Sequence, residues 1–261
     1  MASFNIDNLD VFLAIFARIT GFVYTAPFFS LRNVPQRAKI LLSVAFSVIV
    51  FMTTGVDSLE YSGVIAYAGI ILKDAVCGMI LGLFATLANY ILSMAGQMLD
   101  MEIGFSNIQE FDPTSNLNIT ISSTFFSYAV TLMLIVTDMH LFILKAVIDS
   151  FEVVPVGGVA ISGSIYESFV HFILDYMIIA FRITLPVFAA ILIVNTLLAI
   201  LAKVAPQMNM FVVGFQLKIF VGLTVLIVMM MFLPSISDFI FDKMIYYMRD
   251  AIPYLTGGGA G

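Results

Sequence analysis

Long apolar tracts, interrupted by isolated charges and by a few proline or glycine breaks, organise the chain. No Asp, Glu, Lys or Arg occurs in Ile40–Val56, Ala75–Leu99, Ile119–Thr137, Ile183–Ala202 or Ile219–Ser237. Each stretch is close to the roughly 20 residues that a helix needs to cross a bilayer. Six helical segments are predicted: Asn8–Ala26, stopped by Pro27; Pro35–Thr54, closed by Gly55 and the polar run Asp57–Ser62; Gly63–Met101; Ile119–Phe151; Ser164–Val204; and Met210–Met248. The first two read as a short hairpin. At about 1.5 Å per residue, the third would be roughly 58 Å long against a hydrocarbon core of about 30 Å. It contains no proline, and the fifth holds only Pro186 in its middle, which kinks a helix rather than reversing it. Long or kinked helices are therefore expected.

Composition fixes the class. The chain is 61% hydrophobic and 11% charged, with a mean hydropathy of +1.08, whereas soluble domains are about 45–50% apolar and about 25% charged. The expected fold is all-α, a polytopic helical membrane-type protein. A net charge of -6 with no block of Lys or Arg excludes nucleic acid as a partner, because such binding needs clustered positive charge. The single cysteine, Cys77, lies inside an apolar tract, so it is assigned to packing rather than to a disulfide or thiolate metal site. Asp7 and Asp10 stand where a cleavable signal peptide would carry basic residues, so the first segment is expected to be retained. The glycine-rich end, within residues 251–261, is expected to be a flexible tail. Arg32, Arg37 and Lys39 after the first segment and Lys203 after the fifth mark the cytoplasmic side. With six crossings, both termini then fall outside, although Lys243 and Arg249 near the C-terminus run against this.

Candidate chemistry is sparse. His140 and His171 lie on different segments, and no H-E-x-x-H helix, Gly-x-Ser-x-Gly elbow or Gly-rich phosphate loop is present, so no enzyme, metal or cofactor is expected. Asp138, Lys145, Asp149 and Glu152 recur at intervals of seven, four and three, and His171, Asp175 and Arg182 at four and seven. Each set falls on one helix face as a polar stripe expected to be buried, either as a proton or substrate pathway or as interhelical salt bridges. Gly78 and Gly82, with Thr86 one turn further, form a small-residue face suited to close helix approach. Two connections stand out. GFSNIQEFDPTSNLN, Gly104 to Asn118, is long and polar yet carries Phe105, Ile108 and Phe111, which a merely solvated linker does not need. KVAPQMNMFVVGFQLK, Lys203 to Lys218, is broken by Pro206 and Gly214.

Four stretches together resemble one family, the flagellar FliR proteins and the related T subunits of type III secretion export gates. They are FARITGFVYTAPFFSLRNVPQRAKILL (Phe16–Leu42), the Gly104–Asn118 loop, the region of Asp138, His140 and SFEVVPVGG (Ser150–Gly158), and NTLLAILAKVAPQMNMFVVGFQLKIFVGL (Asn195–Leu223). The last is the most specific, and its Gly214–Lys218 end looks flagellar. The resemblance implies a non-enzymatic subunit of a closed, helical protein export gate, assembled with FliP- and FliQ-like subunits. It implies contact with FlhB- and FlhA-like export proteins, exported unfolded flagellar proteins and membrane lipid. It places the protein in the bacterial inner membrane at the flagellar basal body, as a multi-pass protein.

Carried onto this sequence, the resemblance implies a FliP-like part over residues 1–160, a FliQ-like helical hairpin over 161–250 and the tail beyond. The loop becomes a plug or gating element, with Met101, Gly104, Phe105, Ile108, Phe111, Asp112, Pro113 and Asn118 as its residues. Asn195, Lys203, Pro206, Gln207, Phe211, Gly214, Phe215, Lys218 and Gly222 are implied in subunit packing. Helices too long for a bilayer fit an assembly raised partly out of the membrane. Two other readings stand beside it: a secondary transporter using Asp138, Lys145, Asp175 and Arg182 with the break at Pro186, and a scaffold for inserting other membrane proteins.

Overall fold

Proline and glycine mark where the apolar pattern breaks. A computed structural model describes residues 8–27, 29, 30, 34–54, 59, 61–105, 110–112 and 117–256, with backbone alone at 87, 88, 110–112 and 117–119. Among these residues the order is α1 (Leu9–Thr25), α2 (Gln36–Thr54), α3 (Val64–Ile103), β1 (Glu110–Asp112), β2 (Leu117–Ile119), α4 (Ile121–Val136), α5 (Met139–Val153), α6 (Ile165–Val204), α7 (Met210–Met230) and α8 (Leu233–Tyr254). The protein is all-α apart from the two three-residue strands.

The six predicted segments are present, two of them divided. The fourth breaks at Thr137 and Asp138, where Asp138 adopts a left-handed backbone, φ 54° and ψ 17°. That conformation costs most residues roughly 1–2 kcal/mol, and Asp is among the few non-glycine residues that visit it as single residues. The sixth breaks at Met231 and Phe232. Pro234, in the first turn of α8, has no N–H for the Met230 carbonyl, and α7 closes with short bonds from Met231 N to Val228 O (3.2 Å) and Phe232 N to Met229 O (3.0 Å). The long helices stay whole. α3 and α6 each run for 40 residues, roughly 60 Å, and Pro186 is accommodated inside α6.

Among the described residues four helices, α2, α3, α6 and α7, are long and apolar enough to cross a membrane, and the bent pair α4 and α5 makes a fifth if it is one span. This corrects the count of six crossings. α1 has only 17 residues, and α8 carries Asp238, Asp242, Lys243, Arg249 and Asp250. A count of four keeps both termini on one side, and a count of five separates them.

The chain divides into two compact units, residues 1–88, 135–173 and 241–261, and residues 89–134 and 174–240. In the first, α1 buries Val11, Ala14, Ile15, Ile19 and Phe22, the apolar side of a helix with period near 3.6. Phe12 meets Phe51 of α2 edge-on at 6.1 Å. Against α3 the approach is closer: a Cβ on Gly21 would overlap the Ala75 carbonyl, one on Gly78 the Arg18 carbonyl and one on Gly82 the Thr25 side chain. The Thr86 hydroxyl donates to the Thr25 carbonyl. Thus the predicted Gly78, Gly82 and Thr86 face is used, and its partner is α1 of the same chain. Phe84, Phe169, Phe172 and Tyr247 add an aromatic cluster, with Phe84 stacked on Phe169 at 4.6 Å and Phe172 edge-on to Tyr247 at 4.8 Å.

In the second unit, glycines again set the contacts. Gly96 lies on the backbone of Ser122 and Ser123, and a Cβ on Gly222 would come within 2.6 Å of Ile103. The outer faces of α6 and α7 remain apolar and exposed, with Phe211 83% and Phe220 69% accessible.

Candidate functional site

The Gly104–Asn118 loop rises from a rigid root in the second unit. α3 stops at Gly104, whose φ of +96° few side chains tolerate, and whose N–H bonds the Asp100 carbonyl at 3.0 Å. Beyond residues 106–109, β1 and β2 pair antiparallel in the register Glu110↔Ile119, Phe111↔Asn118 and Asp112↔Leu117. Thr120 then leads into α4, its carbonyl accepting the Thr124 N–H at 3.0 Å and the Thr124 hydroxyl at 2.8 Å.

Three contacts tie the two ends of the loop together. Both carboxylate oxygens of Asp100, a residue 1% exposed, accept the Ser122 N–H at 3.2 and 3.1 Å. A carboxylate on first-turn amides satisfies donors that have no intrahelical partner and faces the positive end of the helix dipole, so α3 supplies the N-terminal cap of α4. The Ser93 and Ser123 hydroxyls lie 2.8 Å apart, and Gly96 permits the backbone contact below them. Beneath the loop lies an apolar cavity of about 220 Å³ lined by Phe105, Ile121, Phe125, Leu223, Ile227 and Met230.

The predicted loop residues fall as follows. Met101 is exposed on the last turn of α3, Gly104 and a half-buried Phe105 form the root, Phe111 and Asp112 lie in β1, and Asn118 lies in β2. Ile108 and Pro113 lie outside the described residues. Of the residues assigned to subunit packing, Asn195 is exposed within α6, Lys203, Pro206, Gln207 and Phe211 are exposed around the α6–α7 turn, and Phe215 and Lys218 are half-buried. Gly214 and Gly222 are buried by this chain's own Leu198 and Ile103. Asn209 caps α7, accepting the Phe211 N–H at 3.2 Å.

The predicted polar stripes lie largely on the outside of the single chain. Asp138, Lys145, His171 and Arg182 are exposed in the chain, and Asp149 and Asp175 are half-buried. α5 turns Ile143, Ala146, Val147, Ser150 and Phe151 inward instead, and Asp138 has left the helix. On α6 the inner positions go to Phe172, Ile179 and Ile183.

The buried charges lie elsewhere, in the first unit. Arg18 of α1 and Asp74 of α3 are both inaccessible and form an ion pair, with Arg18 Nε donating to Asp74 Oδ1 at 2.8 Å. Arg18 Nη1 donates to the Val154 carbonyl at 2.8 Å and Nη2 to the Pro155 carbonyl at 3.3 Å. The guanidinium lies 4.2 Å from the centre of the Phe151 ring, and Asp74 Oδ2 accepts the Gly157 N–H at 3.1 Å. One cation therefore satisfies the carbonyls at the end of α5 while facing the negative end of its dipole, and fixes the turn Ser150–Gly158. Periodic stripes do not reveal this pair; the available signal is a charge set among apolar residues, Arg18 in the middle of α1 and Asp74, beside Lys73, in α3.

Among the described residues no three of His, Cys, Asp and Glu converge as a metal site requires. The described residues make contacts of packing, helix capping and charge pairing. Three relatives, each matched over almost its whole length, carry one name. The chain is 32% identical over 252 residues to the flagellar biosynthetic protein FliR of Bacillus subtilis, covering 95% of this chain and 96% of that protein. The match to flagellar biosynthetic protein FliR of Pectobacterium carotovorum is 26% over 260 residues, 98% and 99% of the two chains. With flagellar biosynthetic protein FliR of Escherichia coli it is 22% over 247 residues, 95% and 94%. Residues 9–244 match the family described as Bacterial export proteins, family 1, and with nearly the whole helical chain inside that match, the protein belongs to this family.

Proposed function

We propose that the chain is a non-enzymatic subunit of a flagellar protein export gate in the bacterial inner membrane, and that residues 104–118 plug its channel. FliP- and FliQ-like subunits complete the channel, FlhB- and FlhA-like proteins deliver substrate, and unfolded flagellar proteins displace the plug in transit. Residues 1–160 form a FliP-like part and residues 161–250 a FliQ-like hairpin, with the tail beyond.

The observation that carries this reading is the rigid root: a loop containing Phe105, Ile108 and Phe111 hangs from helices clamped by Asp100 and Ser122. Apolar residues on such a loop can fill a pore, and the clamp holds the loop ends in place while its tip moves. The exposed apolar faces of α6 and α7, with Asn195 on α6 and Lys203, Pro206, Gln207 and Phe211 around their turn, supply the surface that neighbouring subunits cover. Membership of a bacterial export family supports the same reading.

Purification of the tagged chain from its native membrane in mild detergent tests the assignment. A stable hetero-oligomer with two other helical membrane proteins is expected. A homo-oligomer that binds a small solute would instead mark a transporter.

A further inference from the structure

A groove in the second unit, between α6 and the start of α8, combines an apolar trough with one unneutralised cation. It has a volume of about 370 Å³, and its lining includes Ile179, Ile183, Phe232 and Ile236 as apolar walls, with Arg182 and Ser235 as polar members. This is within the range of about 300–1,000 Å³ typical of small-molecule clefts, which are mostly apolar with a few placed polar groups. No carboxylate lines it. Arg182 makes no hydrogen bond or ion pair among the described residues, although it stands on a helix apolar enough to cross a membrane. An ionised group at such a place requires a counter-charge or water.

The sequence adds a second polar group at the same level. Pro186, which also lines the groove, lies four residues after Arg182 inside α6. Its missing N–H leaves the Arg182 carbonyl without its helical donor. The groove thus offers a guanidinium to an anion, the Ser235 hydroxyl to hydrogen-bonding groups, and apolar walls to a hydrocarbon chain.

We propose that this groove binds one anionic glycerophospholipid, with its phosphate on Arg182 and an acyl chain along Ile179, Ile183, Phe232 and Ile236. A free phosphate makes no use of the trough, and a zwitterionic lipid brings its own cation to a site that already has one. Basic pockets between membrane helices bind anionic headgroups for the same reason.

Native mass spectrometry of the full chain in its purified complex tests the proposal, after delipidation and titration with phosphatidylglycerol and phosphatidylcholine of matched acyl chains. The wild type is expected to prefer phosphatidylglycerol by roughly fivefold. Arg182→Gln abolishes the preference, Arg182→Lys retains most of it, and Ile236→Trp, which fills the trough, weakens both lipids. Equal preference in the wild type and Arg182→Gln would overturn the proposal. So would the absence of bound lipid, or photo-crosslinking from position 239 to a protein subunit alone.

Discussion

Arg18 and Asp74, 56 positions apart in sequence, form an ion pair with neither side chain exposed. Around them α1, α3 and the Ser150–Gly158 turn are fixed by one guanidinium and one carboxylate. The cation would be costly to bury alone; here Asp74, two carbonyls and the Phe151 face surround it.

Removing one partner strands the other. Arg18→Met or Asp74→Leu alone is expected to destabilise the protein by about 3–5 kcal/mol, whereas the double substitution recovers much of the loss because the desolvation cost disappears with both charges. Thermal unfolding of the four forms in detergent gives the coupling directly.

The glycine face between α1 and α3 predicts opposite outcomes at two glycines on one helix. Gly78→Ala drives a methyl into the Arg18 carbonyl and is expected to lower the melting temperature. Gly69→Ala meets no atom within 4 Å, so it is expected to stabilise slightly, by roughly 0.5–1 kcal/mol for a helical glycine. Melting curves of the two variants decide the matter.

At the loop root, Asp100→Ala removes the cap of α4 and is expected to cost about 0.5–2 kcal/mol. Asp100→Asn keeps an acceptor and costs less. Amide hydrogen exchange provides the local readout: protection of Ser122 should fall in the Ala variant, with smaller changes at the far end of α4.

The break between α4 and α5 rests on a left-handed Asp138. Asp138→Gly is expected to be neutral or mildly stabilising, whereas Asp138→Val costs about 1–2 kcal/mol because a β-branched residue resists positive φ. Unfolding in denaturant and detergent compares the two.

Much of this was legible from the residues. Pro27, Gly63 and Pro206 stand where helices stop or start, Gly78 and Gly82 predict a close helix contact, and Gly104–Asn118 is bounded by the residues that now form its root and its second strand. Other features leave weaker traces. Pro234 signals the α7–α8 break, yet a continuous apolar run hides it. Asp138 shows no sign of its backbone conformation, because helical spacing from Asp138 to Lys145 is satisfied on paper whether or not the helix continues. Charges in periodic register suggest buried stripes, but α5 and α6 have enough apolar side chains to fill their inner faces. Conversely, Arg18, Asp74 and Asp100 form no pattern within a single helix. Their meaning comes from pairs separated by 22 to 56 positions, which tertiary structure alone brings together.

The loop at Gly104–Asn118 is proposed to seal a channel. Its most direct test is solute and ion efflux from liposomes containing the assembled gate, with and without deletion of Ser106–Thr114. The account predicts a tight wild-type gate and a leaky deletion, with subunit assembly unchanged. An assembled deletion variant that stays as tight as the wild type would contradict it.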